Sequence, residues 1–513
     1  MMSKKFNVAD ILFWVILITV FISRFVYLGS IPGGINQDEA FAGYEAWSMS
    51  KYGIDSWGYT NPIYFISWGS GMNVFYSYLL RVFFYFLDAK TWVLRLPQAI
   101  LGVLSCYIFY RSLKICYNKK TALIGFLIIA IIPWHIVQSR WGLESSACTF
   151  GMLTGFYFYL KALKKIKYLY LSVLFYSIAL YSYAITWVPI FFIALFSMGY
   201  LWYINKSNFL HILGSGCLFI ILNIPLLLLL LVNYGYIDEI RGTYISVPKL
   251  LYWRSSEWGY DNLPIKLAAL YSIYIEQTDF FIYSYITKFG LFYPFSLLFM
   301  ILGVISLIQK LYYELKNKKI AYNLPMVLWL IIGIIYGIGI YPSPTRLNFL
   351  YFPLVWLIVL GITFFKKKII ITSIIAIYLC SFILFCYEYF NNYNKLAEQE
   401  FSIGLEEALV FANSKREVKK YNIIITDGHT IYPRVLWHQK IPVNDYIRHS
   451  VWRNYPQAYL ESAGFLHYRF EDGLNTEKIS NDCIYITTKN NRYFLYNFNI
   501  EEFGRYIVAV PKN

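Results

Sequence analysis

Apolar runs of about 20 residues recur from the N-terminus to residue 388, each long enough to cross a hydrocarbon core of roughly 30 Å. The composition agrees: 58% of the residues are hydrophobic and 14% charged, a balance no soluble chain of this length can carry on its surface. Lipid must cover much of the chain. The first run, Ile11 to Leu28, stands behind Met1, Lys4 and Lys5 and is followed by no small-residue cleavage site, so it reads as a retained span rather than a removed signal peptide.

A formal charge of +16 would point to nucleic acid in a soluble protein. Here the cations gather in short links between apolar runs, at Lys119 and Lys120, Lys161 to Lys167, Lys316 to Lys319 and Lys366 to Lys368, against the acids Asp10 and Glu314. Such links face the cytoplasm. No nucleic-acid partner is expected. Threading the chain under this rule gives about eleven spans, near 11–29, 95–113, 121–136, 146–161, 168–186, 188–204, 209–232, 290–309, 324–341, 346–365 and 369–387. Segments 73–87 and 270–288 are laid along the outer surface as interfacial helices, because a crossing by either would switch the sides of later links. The chain is thus expected to be an α-helical polytopic protein of the plasma membrane, with its N-terminus cytoplasmic.

Residues 1–387 then form a transmembrane domain with outer loops 30–94 and 233–289, and residues 388–513 an extracytoplasmic tail. That tail combines a helix-like Leu405 to Ser414, an amphipathic Tyr432 to His438, and strand-like Asn422–Thr426, Ile484–Thr488 and Tyr506–Val510, which predicts a small α/β domain. The cysteines, at 106, 116, 148, 217, 380, 386 and 483, show no paired spacing, so neither a zinc site nor a disulfide framework is expected.

Candidate chemistry sits at the outer ends of spans. Pro32, Gly33 and Gly34 allow a tight turn before a helix-like Glu39 to Ser50, placing Asp38 and Glu39 near a helix N-terminus. The plainer reading of these acids is N-capping. Glu144 follows the third span, four residues after Arg140, and the two would pair on a helix. His135 lies just upstream. Ionisable groups at membrane depth are costly and usually face a cavity, which favours a site shared by the two acid clusters. Arg346, after Pro342 and Pro344, is expected to open the tenth span, and Arg24 stands near the outer end of the first. Both suit either snorkelling to headgroups or recognition of a phosphate.

The Asp38–Glu39 pair, the Leu94 to Pro97 opening of the second span, the Pro133 to Glu144 segment and Arg346 together resemble the C-type glycosyltransferases, the GT-C fold. Within these, the likeness is to bacterial members of the protein O-mannosyltransferase and aminoarabinose-transferase-like superfamily; it covers residues 10–387 and is strongest over 30–160. The resemblance implies a polyprenyl-phosphate-linked sugar as donor and an extracytoplasmic hydroxyl or amine acceptor on an envelope glycan, lipid or protein, with inversion at the anomeric carbon. It implies Asp38 as general base and Glu39 as its acidic neighbour, with Glu144 standing where many members carry aspartate. The tail resembles the outer α/β appendage of bacterial members.

Such a reaction needs a base for the acceptor proton and a cation for the departing phosphate. Arg346, Arg140 and Arg24 are the candidate phosphate ligands, and His135 and Tyr44 the candidates for lining the site. No ligand set demands a divalent cation, although one could bridge Asp38 or Glu144 to phosphate. The alternative from another class is a transporter or flippase of lipid-linked glycans, against which stand the acids' position at one surface and the lack of repeated halves.

Overall fold

A computed structural model describes residues 7–253, 259, 261–278, 282–457 and 459–512. Lys4, Lys5 and part of the 270–288 segment therefore lie outside the described residues. The helices, in chain order, are α1 (Val8–Phe25), α2 (Gln37–Tyr52), α3 (Phe75–Phe84), α4 (Thr91–Cys116), α5 (Lys119–Ile131), α6 (Pro133–Gln138), α7 (Glu144–Ala162), α8 (Tyr168–Leu180), α9 (Trp187–Ile204), α10 (Phe209–Asn233), α11 (Leu263–Tyr271), α12 (Ser296–Lys316), α13 (Leu324–Gly339), α14 (Tyr351–Ile362), α15 (Lys368–Leu396), α16 (Leu405–Lys419), α17 (Tyr432–Gln439) and α18 (Val443–His449). Among the described residues, six helical segments are long and apolar enough to cross a membrane: 8–25, 91–116, 184–204, 206–233, 296–316 and 368–396. Shorter apolar helices stand at 75–84, 168–180, 324–339 and 348–362. The chain is a multi-pass membrane protein.

Several span boundaries differ from the sequence reading, each for a local reason. The expected span 121–136 is two helices, because Pro133 lacks the N–H that would continue α5 and instead starts α6. The tenth span begins at Tyr351, after a 3-10 turn at Asn348–Leu350, and Arg346 sits in the turn before it. Of segment 270–288, only the end of α11 and a π-turn at Ser272–Glu276 are helical among the described residues, so it is not a continuous interfacial helix.

The chain divides into two compact units. The first comprises residues 1–26, 96–225 and 255–391. Within it α12 and α14 approach backbone to backbone: a Cβ on Gly303 would stand 2.0 Å from the Leu357 carbonyl oxygen, and one on Gly361 would stand 1.9 Å from that of Phe299. Small residues allow such contact where lipid supplies no hydrophobic drive between helices.

The second unit comprises residues 27–95, 226–254 and 392–513, so the first long loop and the first part of the second fold with the tail. In its loops β1 (Tyr64–Phe65) pairs with β2 (Met72–Asn73) and β3 (Ile240–Arg241) with β4 (Ser246–Val247); β5 (Asn422–Ile425), β6 (Val451–Trp452), β7 (Ser462–Phe465), β8 (Tyr468–Phe470), β9 (Cys483–Thr488), β10 (Phe498–Phe503) and β11 (Tyr506–Pro511) form a seven-stranded sheet of order β10-β11-β9-β5-β8-β7-β6. The central β5 runs parallel to both neighbours and buries Ile423 and Ile425. One apolar core joins Ile423, Ile425, Leu409, Val435 and Phe465 to Tyr44 of α2. Helix α2 packs closely on α17 at Gly43, where a Cβ would lie 2.9 Å from the Trp437 ring.

Candidate active site

In the loop-and-tail unit, Asn36 caps α2: its side chain accepts from the Asp38 N–H at 3.0 Å. With capping done two residues upstream, Asp38 is half-buried in the first turn, where the helix dipole favours its carboxylate. Glu39 is fully buried against Arg95, with Nε to Oε1 at 2.8 Å and Nη2 to Oε2 at 3.0 Å. The same guanidinium donates to the Pro32 carbonyl at 2.5 Å, the Gly34 carbonyl at 2.9 Å and the Leu28 carbonyl at 3.3 Å. Glu39 is thus the counter-charge of a clamp that holds the turn ahead of Asp38.

A second arginine holds the same turn from the tail. Arg434, buried on α17, donates from Nε to the Ile35 carbonyl at 3.0 Å and from Nη2 to the Glu400 carbonyl at 3.2 Å. Burial draws its pKa down from the ordinary value, opposed by the charges of Tyr506, Asp427, Asp38 and Glu400. Tyr44 does not line an opening: it is 1% exposed, in the core, with its hydroxyl donating to the Ile441 carbonyl at 2.8 Å.

In the membrane unit, Glu144 is the first residue of α7, half-buried, behind an N-cap leucine with no side-chain cap. Arg140 lies in the non-helical link before it, so the two do not share a helix as the i,i+4 spacing suggested. Its Nη1 and Nη2 hold the carbonyls of Ser23 (2.9 Å) and Val26 (2.6 Å) at the end of α1, and its guanidinium lies over the Tyr389 and Phe390 rings. Arg24 is fully buried and turned into the protein, not toward headgroups. It donates to the Ala130 carbonyl at 2.6 Å and the Ile129 carbonyl at 3.2 Å, and its Nη2 lies 2.9 Å from His135 Nδ1. A guanidinium only donates, so His135 accepts there and carries its proton on Nε2.

Arg346 is half-buried, with Nη1 donating to the Tyr341 carbonyl at 3.2 Å. Its turn is fixed by a buried network: Trp134 Nε1 donates to Asn348 Oδ1 at 2.7 Å, Asn348 Nδ2 to Gln138 Oε1 at 3.0 Å, and Ser146 Oγ to the same Gln138 oxygen. This ties the 341–348 turn to α6 and to the first turn of α7, which Glu144 opens. Among the described residues, no group of three or more His, Cys, Asp or Glu is arranged to hold a metal ion.

Sequence reasoning missed Arg434, Gln138 and Asn348, and gave Arg95 no role beyond its place between Leu94 and Pro97. A cation between two apolar residues beside a proline is a detectable signal. Arg434 offered none, since its partner in the turn before Asp38, Ile35, lies 399 positions away.

This helical membrane part with an acid-bearing first loop and an appended sheet is the C-type glycosyltransferase fold. Residues 73–228 match the family described as dolichyl-phosphate-mannose-protein mannosyltransferase. In structure the chain is similar to ArnT from Cupriavidus metallidurans, solved bound to undecaprenyl phosphate (TM-score 0.57, 11% identical) and in the apo state (TM-score 0.55, 10% identical), with 97% of each chain covered in both. In sequence it is 30% identical over 103 residues to a Bacillus subtilis (strain 168) protein, YycA, named provisionally as a mannosyltransferase. That stretch is 20% of this chain and spans only 15% of the relative.

Proposed function

We propose that this chain is a membrane glycosyltransferase that moves a sugar from a polyprenyl-phosphate donor to a hydroxyl or amine acceptor outside the cytoplasm. The reading rests on Asp38: a half-exposed carboxylate whose capping duty is taken by Asn36 and whose preceding turn is held by Arg95 and Arg434. A carboxylate in a helix's first turn, on backbone held by two arginines, suits a general base. The family match and the ArnT-like fold support the same kind of donor.

In the proposed step, the acceptor passes its proton to Asp38 as its oxygen or nitrogen bonds to the anomeric carbon. The bond from that carbon to the phosphate oxygen breaks, and polyprenyl phosphate leaves with inversion. Arg346, on its hydrogen-bonded turn, meets the developing phosphate charge. Glu144 orients acceptor groups. Arg140, Arg24 and His135 hold helix ends rather than substrate. The basic links face the cytoplasm and the loop-and-tail unit the exterior.

Transfer from a radiolabelled polyprenyl-phosphate sugar to envelope acceptors is the direct test. Asp38→Asn should lower the rate by about 10²–10⁴ with membrane insertion intact; a near-normal rate removes the base assignment. Arg346→Ala should chiefly weaken donor use. A reporter fused to the C-terminus should respond only to reagents outside the cell, and a cytoplasmic signal would reverse the orientation.

A further inference from the structure

The membrane unit carries a cavity of about 680 Å³ in which the turn joining α7 to α8 meets the turn joining α9 to α10. Lys164, Lys165 and Lys167 stand at its rim beside Asn205 and Asn208. All three lysines are exposed, and among the described residues none of them has a carboxylate within ion-pair distance and no acid lines the cavity. The deeper wall is apolar: Leu163 and Leu201 are buried, with Ile204 and Ile320 beside them. Lys164 lies 5.7 Å from the centre of the Tyr322 ring, and Lys161, one turn back, is held over the Tyr168 ring at 3.7 Å.

We propose that this cavity binds one anionic phospholipid of the leaflet that the basic links face, with its phosphodiester among Lys164, Lys165 and Lys167 and its first acyl carbons against Leu201 and Ile204. This rests on the membrane reading alone and is independent of the transferase chemistry. A basic link needs no cavity merely to set orientation, and Lys366, Lys367 and Lys368 serve as the matched comparison: three exposed lysines in another such link. What sets the 164–167 turn apart is positive charge with no acid in the lining, over an apolar wall, the arrangement that basic pockets between membrane helices use for anionic headgroups. A free phosphate would leave that wall bare.

The test is native mass spectrometry of the full chain in detergent, titrated with phosphatidylglycerol, phosphatidylcholine or glycerol phosphate. Phosphatidylglycerol should bind at one site at least about tenfold more tightly than phosphatidylcholine. The combined K164Q, K165Q and K167Q variant should lose that preference, while K366Q, K367Q and K368Q together keep it within about twofold. Ile204→Trp, which leaves every charge in place and fills the wall, should also weaken phosphatidylglycerol binding. Equal losses in the two lysine variants would make the effect diffuse charge and overturn the site. Unchanged binding by Ile204→Trp, or competition by glycerol phosphate as strong as by the lipid, would overturn the lipid as occupant.

Discussion

Arg95 and Arg24 are both fully buried, yet the two units satisfy them differently. In the loop-and-tail unit, Arg95 meets a whole carboxylate, Glu39, and three carbonyls of one turn. In the membrane unit, Arg24 has no acid; it meets the Ile129 and Ala130 carbonyls at the end of α5, where the helix dipole is negative, and the lone pair of His135. Removing a cation therefore strands a charge in the first case and only dipoles in the second. Burial alone says little about how much a charge matters; its partner decides.

The largest effect should follow from breaking the first arrangement. Arg95→Leu leaves Glu39 buried without a cation and should destabilise the protein by about 3–5 kcal/mol, read as a fall in the thermal midpoint in detergent. Glu39→Leu combined with Arg95→Leu should recover most of that stability, since no charge is then stranded, but not the transfer rate, because the turn before Asp38 has lost its hold by Arg95. If the double variant is as unstable as the single one, charge matching is not what the pair supplies. Arg24→Leu should cost less, about 1–3 kcal/mol, for the carbonyls it leaves unpaired. A cost equal to that of Arg95→Leu would erase the distinction between the units.

Arg434→Gln sharpens the comparison inside one unit. It removes a second hold on the turn while leaving Glu39 paired, so stability should change little and kcat should fall roughly tenfold, about 1.4 kcal/mol, with donor KM unchanged. A rise in donor KM at constant kcat would make Arg434 a donor ligand instead of a positioning residue.

What the sequence disclosed follows the range of the interactions involved. Helix α16 and strands β5, β9 and β11 were legible because period and β-branched residues are local signals, and α2 was legible from its turn residues. The break at Pro133 was legible in principle, since proline at that place cannot extend α5, but apolar length hid it. Tyr44 was read as a lining residue because nothing near it shows that Ile441 and the tail core cover it. The i,i+4 spacing of Arg140 and Glu144 suggested one shared helix, but that spacing has its helical meaning only where the backbone is helical, and residues 139–143 are not.

A third way to bury a charge, with a proton as the partner, gives the smallest expected effect. Glu45 and Asp55 are 0% and 1% exposed and, among the described residues, have no ion-pair partner; Glu45 accepts from the Ser56 N–H and hydroxyl, Asp55 from the Trp57 and Tyr59 N–H groups at 2.9 and 2.8 Å. Burial raises both pKa values, with Asp55 adding to the rise at Glu45 and Asp55 itself pushed up to about 7 despite its hydrogen bonds. Since the folded Asp55 holds its proton more tightly than an unfolded one, its contribution is full below about pH 4 and is lost as pH rises toward 7. Between pH 5.5 and 6.5 the share of Asp55 should fall by about 1 kcal/mol, adding to that of Glu45 and seen as a declining thermal midpoint, and Asp55→Asn should make that decline shallower. A wild-type decline no steeper than that of Asp55→Asn over this interval, with stability lost instead as pH falls below about 4, would mean the acid is ionised in the folded protein and matched by a cation, as Glu39 is by Arg95.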